Sequence, residues 1–206
     1  MSKVDQQFSI GRLQRSELEI ASHMLAEAFQ EDPIFNWLIP GADKRIELAS
    51  TILMVELKHG YFKGEVYKAG SVEGIVVWMP PDSKDEMDFW SLCRTGALTL
   101  IMRVGRSIFS RIQAYEKYVH QKRKKLIDFP HWYLSLLGVS PSRQGEGLAG
   151  RLLEYKFKEI EKDSYPVFLE THNEEVIDFY KKFGFEIIEE DLIENQVPYW
   201  ALLKRG

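Results

Sequence analysis

The chain has 206 residues, 45% hydrophobic and 28% charged, with a formal net charge of -4 at pH 7. This suits one globular domain over 1–206 and argues against a nucleic-acid binder, which normally carries net positive charge on a basic face. The single cysteine, Cys93, excludes an intramolecular disulfide framework and fits a reducing cytoplasm; in its apolar context it reads as a packing residue.

The N-terminus lacks the apolar run of a secretory signal, and the longest apolar stretch, Ala97 to Met102, is far short of the ~20 residues that span a membrane. A cytoplasmic protein with no membrane contact is expected. Phe8 to Leu13 reads as a strand. Ser16 followed by Glu19 has the form of a capping box, and Ile20, Met24, Leu25 and Ala28 give the next helix an apolar face. Asp32-Pro33 breaks that helix, and Ile34 to Ile39 reads as an apolar turn. A second helix is predicted from about Asp43 to His59, stopped by Gly60.

Glu65–Ala69 and Ser71–Met79 read as an antiparallel hairpin. Residues 83–129 form a helical insertion, interrupted at Gly96 and Gly105. Its run Lys122-Arg123-Lys124-Lys125 reads as a solvated helix end. Trp132–Val139 is a buried strand, and a helix follows to about Lys162. Val167–Thr171, a short helix over Glu174–Phe183, and strands Phe185–Glu190 and Tyr199–Leu203 complete the chain. Strand hairpins at both ends argue for an α+β fold, a mixed α/β sheet rather than a doubly wound parallel one.

The stretch Arg143-Gln-Gly-Glu-Gly-Leu-Ala-Gly150 lies between a strand and a helix. Glycines let the backbone approach an anion closely, and the free N–H groups of a first helical turn point at it. The segment lacks the Lys-Ser/Thr end of a nucleoside-triphosphate loop. Its glycines, at 145, 147 and 150, miss the dinucleotide spacing. Alone, it could simply turn the chain. Downstream, Val176, Ile177, Phe179, Tyr180 and Phe183 form one helical face after Asn173, and Tyr180 could equally be a core aromatic.

Together these segments resemble the Gcn5-related N-acetyltransferase (GNAT) family. Gln144-x-x-Gly147-x-Ala149 is similar to its acetyl-coenzyme A motif. Asn173-x-x-x-Ile177-x-Phe179-Tyr180-x-Lys182-x-Gly184-Phe185 is similar to its second motif. The resemblance is strong over 131–190, looser over 1–80 and absent over 83–129. It is nearest to bacterial small-molecule and antibiotic members of the puromycin type. It implies the GNAT fold, with the helical insertion between strands 3 and 4.

The resemblance further implies acetyl-CoA as co-substrate, a small-molecule amine as acceptor, and direct attack in a ternary complex. It admits a homodimer. The backbone of Leu137 and Val139 would bond pantetheine. The N–H groups of Gln144, Gly145, Gly147, Leu148, Ala149 and Gly150 would hold pyrophosphate. Asn173 would anchor the coenzyme or cap a helix. Glu146 departs from the family pattern and should point to solvent, balanced by Arg143 and Arg151. Tyr180 matches the general acid, and Glu170 is a candidate base or a structural hydrogen-bond partner. Glu31 and Asp32 could bind a cationic amine, with Phe35, Trp37 and Trp78 as pocket walls. His131 and His172 are weaker relay candidates. No residue cluster has metal-ligand spacing, so no metal is expected. A non-catalytic acyl-CoA sensor and a protein N-acetyltransferase remain alternatives.

Overall fold

The computed structural model describes residues 9–81, 83 and 95–206, so Phe8 and Cys93 lie outside the described residues. Its strands are β1 (Ile10–Arg12), β2 (Glu65–Ala69), β3 (Gly74–Met79), β4 (Trp132–Val139), β5 (Val167–Thr171), β6 (Glu186–Ile193) and β7 (Val197–Lys204). Its α-helices are α1 (Leu18–Ala28), α2 (Pro33–Leu38), α3 (Arg45–Lys63), α4 (Ala97–Leu126), α5 (Leu148–Asp163) and α6 (Ile177–Lys182).

The strands form one mixed sheet in the order β1-β2-β3-β4-β5-β7-β6. Only β4 and β5 pair in parallel, joined by the crossover through α5; the other neighbours are antiparallel. The expected α+β mixed sheet is therefore observed. Among the described residues no helix is long and apolar enough to cross a membrane.

Strand periodicity divides the core. All six residues of β3 are buried, so the strand is covered on both faces. Ile75 and Val77 join the cluster formed with α1–α4, whereas Val76 and Trp78 join the cluster under α5 and α6. Alternation places Phe168 with the first cluster and Val167 and Leu169 with the second. Glu170, two residues after Phe168, therefore belongs to the α1–α4 face, as does Tyr199 of β7.

Several local expectations need correction. The turn Ile34–Ile39 is mostly helix: Pro33 opens α2, and the Asp32 side chain accepts the Ile34 N–H at 3.0 Å. Asp followed by Pro is an N-cap and N1 pair, so it starts this helix as well as ending the previous one. The capping box lies two residues earlier than expected, where Glu17 accepts the Gln14 N–H at 2.8 Å. Ile20 is 62% exposed because it falls about 200° round α1 from buried Leu18. Helix α3 runs past Gly60 and ends against Gly64. Gly60 fits inside because a Cβ there would lie 2.3 Å from Val77 Cγ1.

The insertion breaks where its glycines predict. Gly96 precedes α4 with φ 85°, and Gly105 interrupts it with φ 80° and ψ 165°. Val104, Ile108, Ile112, Tyr115 and Val119 then follow helical spacing onto the α1–α4 core. The basic run is not simply solvated. Lys122 bonds Glu189 at 2.6 Å and Asp191 at 2.5 Å, and Arg123 turns inward to Glu170. These pairs tie the insertion to β5 and β6.

Candidate active site

The parallel pair β4/β5 stays in register only from Trp132↔Val167 to Leu134↔Leu169. Beyond Leu134 the strands part, and Glu170 and Thr171 pair with β7 instead. On its other edge β4 carries a bulge: Val77 faces Leu136 while Trp78 faces Leu134, leaving Ser135 as the extra residue. The bulge resets the alternation, so Leu136 packs with the α1–α4 cluster and Leu137 and Val139 with the other. A cleft opens between the parted strands, with backbone groups of β4 along one wall.

The Gly-rich turn closes one end of this cleft. Gly145 and Gly147 have φ of 81° and 77°, and neither would meet a neighbour within 4 Å if given a Cβ. Space is therefore open above the turn. Gly147 is the N-cap of α5, so the N–H groups of Leu148, Ala149 and Gly150 lie in a first turn without intrahelical acceptors. Gly150 is needed for packing, because a Cβ there would sit 3.1 Å from Phe183 Cζ. That contact joins the two motifs. Gln144 donates to the Val139 carbonyl at 3.2 Å. Glu146 is turned aside to Arg143 at 2.9 Å, as its charge requires. Glycines, helix N-terminus and parted strands fit a long pyrophosphate-bearing thioester such as acetyl-CoA.

The cleft continues into a cavity of about 1590 Å³, larger than the ~300–1,000 Å³ of a typical ligand pocket. Leu137, Val139, Gln144, Ala149, Asn173 and Tyr180 line it from the cleft side. Glu31, Asp32 and Phe35 line the far side, so three of the five expected acceptor residues converge. Trp78 does not: it is fully buried under α5, 5.9 Å from the Phe157 ring, on the opposite face of the sheet. Trp37 also lies outside the lining. It packs beside Arg111, which donates to the Trp37 carbonyl.

Glu170 sits on the cavity floor with its side chain 2% exposed. Three donors hold it: Arg123 at 2.6 Å and Tyr133 at 3.0 Å on Oε2, and Tyr199 at 2.9 Å on Oε1. Arg123 also covers the Tyr133 ring, 3.9 Å from its centroid. A carboxylate bound this way is a structural anchor that ties α4, β4 and β7 together. Burial, joined by this carboxylate, holds the Tyr133 and Tyr199 hydroxyls protonated well above the usual phenol range.

Tyr180 is also held in its protonated form by burial and, secondarily, by the Asp32 charge. Its ring is wedged edge-on between Phe179 and Phe185, at 5.2 and 5.7 Å. Asn173 uses Oδ1 to accept the Glu175 N–H at 3.0 Å, so capping is real. Its amide nitrogen remains available to the cavity.

A match to the acetyltransferase (GNAT) domain model covers residues 103–187, and so spans both motifs, the parted strands and most of α4. Residues 103–187 are therefore similar to the GNAT acetyltransferase domain. A relative in Schizosaccharomyces pombe, described as an uncharacterized N-acetyltransferase, is 25% identical over 84% of this chain and 72% of its own. Among solved folds, a Corynebacterium glutamicum histone acetyltransferase HPA2-related protein superposes with TM-score 0.67 at 19% identity, covering 97% of each chain. Drosophila melanogaster polyamine N-acetyltransferase superposes with TM-score 0.59 at 15% identity, covering 97% of this chain and 100% of that one.

Within this GNAT fold, the far side of the cavity contains residues that sequence motifs did not disclose. Glu56 of α3 and Tyr115, Glu116 and Arg123 of α4 all line the cavity. Glu116 is open to the cavity but has protein around its other sides. Burial, reinforced by the Glu56 charge, pushes its pKa up to about 8. Burial likewise raises Glu56, against the pull of His59 and Arg123. The available sequence signal was Arg123, placed at helical spacing from Tyr115 and Val119 on the apolar face of α4. His131 bonds the Phe129 carbonyl at 2.8 Å and is not part of the cavity lining.

Proposed function

We propose that the protein transfers the acetyl group of acetyl-CoA to the primary amine of a small, positively charged molecule. The observation that carries this reading is the joining of the cleft to an acidic cavity. There Glu31, Asp32, Glu56, Glu116 and Glu170 outnumber Lys117 and Arg123. A cationic amine gains charge-assisted hydrogen bonds in such a cavity, whereas an anionic acceptor is repelled. The fly structural neighbour is described as forming N-acetylagmatine, and agmatine is a compact molecule with two basic groups. Helix α4 lines the acceptor side, which favours a small molecule over a folded protein substrate.

In this reading the β4 backbone at Leu137 and Val139 and the N–H groups of 144–150 orient the donor, aided by the α5 dipole. Asn173 steadies the donor through its amide nitrogen. The thioester supplies the activated acyl carbon. The neutral amine attacks that carbon, a C–N bond forms and the C–S bond breaks. Tyr180 donates its proton to the departing sulfur and is restored by a proton from the new amide nitrogen. Asp32 and Glu31 attract the acceptor to the mouth of this reaction line. The cytoplasm supplies both acetyl-CoA and small amines, which fits a cytoplasmic location.

The acceptor class is tested with Glu116→Gln, which retains shape and removes a carboxyl that a bound cation would draw into its ionised form. The KM for agmatine should rise about tenfold, while the KM for acetyl-CoA stays near wild type. An unchanged agmatine KM contradicts the acidic-cavity reading. The same variant has a stability signature. A carboxyl raised to about 8 gives the folded state a proton that the unfolded chain releases near the ordinary 4.5, so that contribution is lost as pH rises through about 8. Glu116→Gln should therefore melt higher than wild type at about pH 9 and match it at about pH 4.

A further inference from the structure

His172 is 6% exposed, yet lines the cavity beside Asn173. Its Nδ1 lies 2.9 Å from the Pro198 carbonyl and its Nε2 3.0 Å from the Tyr115 hydroxyl. A carbonyl can only accept, so Nδ1 carries the hydrogen and Nε2 is the acceptor for Tyr115 O–H. Tyr115 lines the same cavity from α4. Its free lone pair is the outer end of a two-member chain whose inner end is a neutral imidazole.

We propose that this pair is the proton exit for the acceptor amine: the ammonium gives a proton to the Tyr115 oxygen as the Tyr115 hydrogen passes to His172 Nε2. The inference rests on the acetyl-transfer reading above. Each atom is conserved through the step. The N–H bond of the ammonium breaks, the Tyr115 hydroxyl is regenerated with a different hydrogen, and the imidazole becomes an imidazolium. The free amine then attacks the acyl carbon, and His172 returns its proton to solvent through the cavity after product leaves.

The surroundings suit this cycle. Burial is the main influence keeping His172 neutral before reaction, and the Asp32 and Glu170 charges oppose it, favouring the imidazolium once formed. From β7 the Pro198 carbonyl and the Tyr199 ring, 6.0 Å away, face His172; from α4 the Tyr115 ring packs edge-on at 5.4 Å. Glu170 itself is occupied by three donors, whereas the acceptor side of His172 leads through one hydroxyl to the cavity. Asp32, His172 and Tyr180 line the same cavity, and the Asp32 charge favours the protonated form of both partners.

The test compares wild type, His172→Gln and Tyr115→Phe, using acetyl-CoA with agmatine or putrescine, cations at neutral pH, and with trifluoroethylamine, already neutral there. Both variants should lose roughly a hundredfold in kcat/KM with the cationic amines and much less with trifluoroethylamine. Their rates with cations should climb about tenfold per pH unit below the pKa of the amine, following the free-base fraction. Tyr115→Phe keeps the ring packing and decides the matter if His172→Gln does not fold. Wild-type rates in the variants, or equal losses with charged and neutral amines, overturn the relay alone. A wild-type protein that acetylates none of the three amines overturns the acetyl-transfer reading, and the relay with it.

Discussion

Tyr180→Phe should lower turnover by roughly a hundred- to ten-thousand-fold while leaving acetyl-CoA affinity close to wild type. The substitution removes one oxygen and retains the ring that packs against Phe179 and Phe185. Burial and the Asp32 charge keep the hydroxyl protonated across the working range, as an acid requires. Without that proton, sulfur must leave as a thiolate in a desolvated site. The loss should appear in kcat, because the hydroxyl matters when charge develops on sulfur. Stopped-flow or steady-state thiol detection, paired with calorimetric titration of acetyl-CoA, checks both halves. Unchanged turnover removes Tyr180 as the acid.

Glu170→Ala should cost about 3–5 kcal/mol of stability, the range for breaking a buried ion pair from one side. Arg123, with its side chain 12% exposed, would lose the Glu170 carboxylate, and the Tyr133 and Tyr199 hydroxyls would lose that acceptor. These donors come from α4, β4 and β7, so the damage reaches the parted strands and the insertion together. The double variant Glu170→Leu with Arg123→Met should recover much of the loss, because matched apolar replacement avoids stranding a charge. Denaturant unfolding of the single and double variants measures this. A single variant within about 1 kcal/mol of wild type would show that the anchor contributes little.

The Gly-rich turn and the parted strands were legible because their signals are local. Two glycines with positive φ, a helix start and a capping Asn all fall within short windows, and the Gly150–Phe183 contact links the two motifs in space. The strands followed period-two patterns apart from the bulge at Ser135 and a register shift in β6, but β7 inserts between β5 and β6. That placement is a matter of hairpin packing, which no single segment encodes. Helix α2 was misread because Asp32-Pro33 stops one helix and starts the next.

The far side of the cavity was less legible because it is assembled from distant segments. Glu56, Tyr115, Glu116 and Arg123 lie in helices that carry no motif, and they meet only when α3 and α4 pack over the α1–α4 face. Trp78 shows the opposite error. Its aromatic character suggested a pocket wall, but one-residue alternation along β3 sends it to the other core. The basic run at 122–125 looked uniform in sequence, yet helical rotation turns Arg123 inward and Lys122 toward β6.

Acetyl transfer itself is tested most directly by incubating the wild-type protein with acetyl-CoA and a panel of small cationic amines, following free thiol and identifying products by mass. The acidic cavity and intact Tyr180 predict saturable, amine-dependent thiol release with one acetyl group on the acceptor nitrogen. Tight acetyl-CoA binding without thiol release across the panel would contradict the account and favour a non-catalytic acyl-CoA sensor.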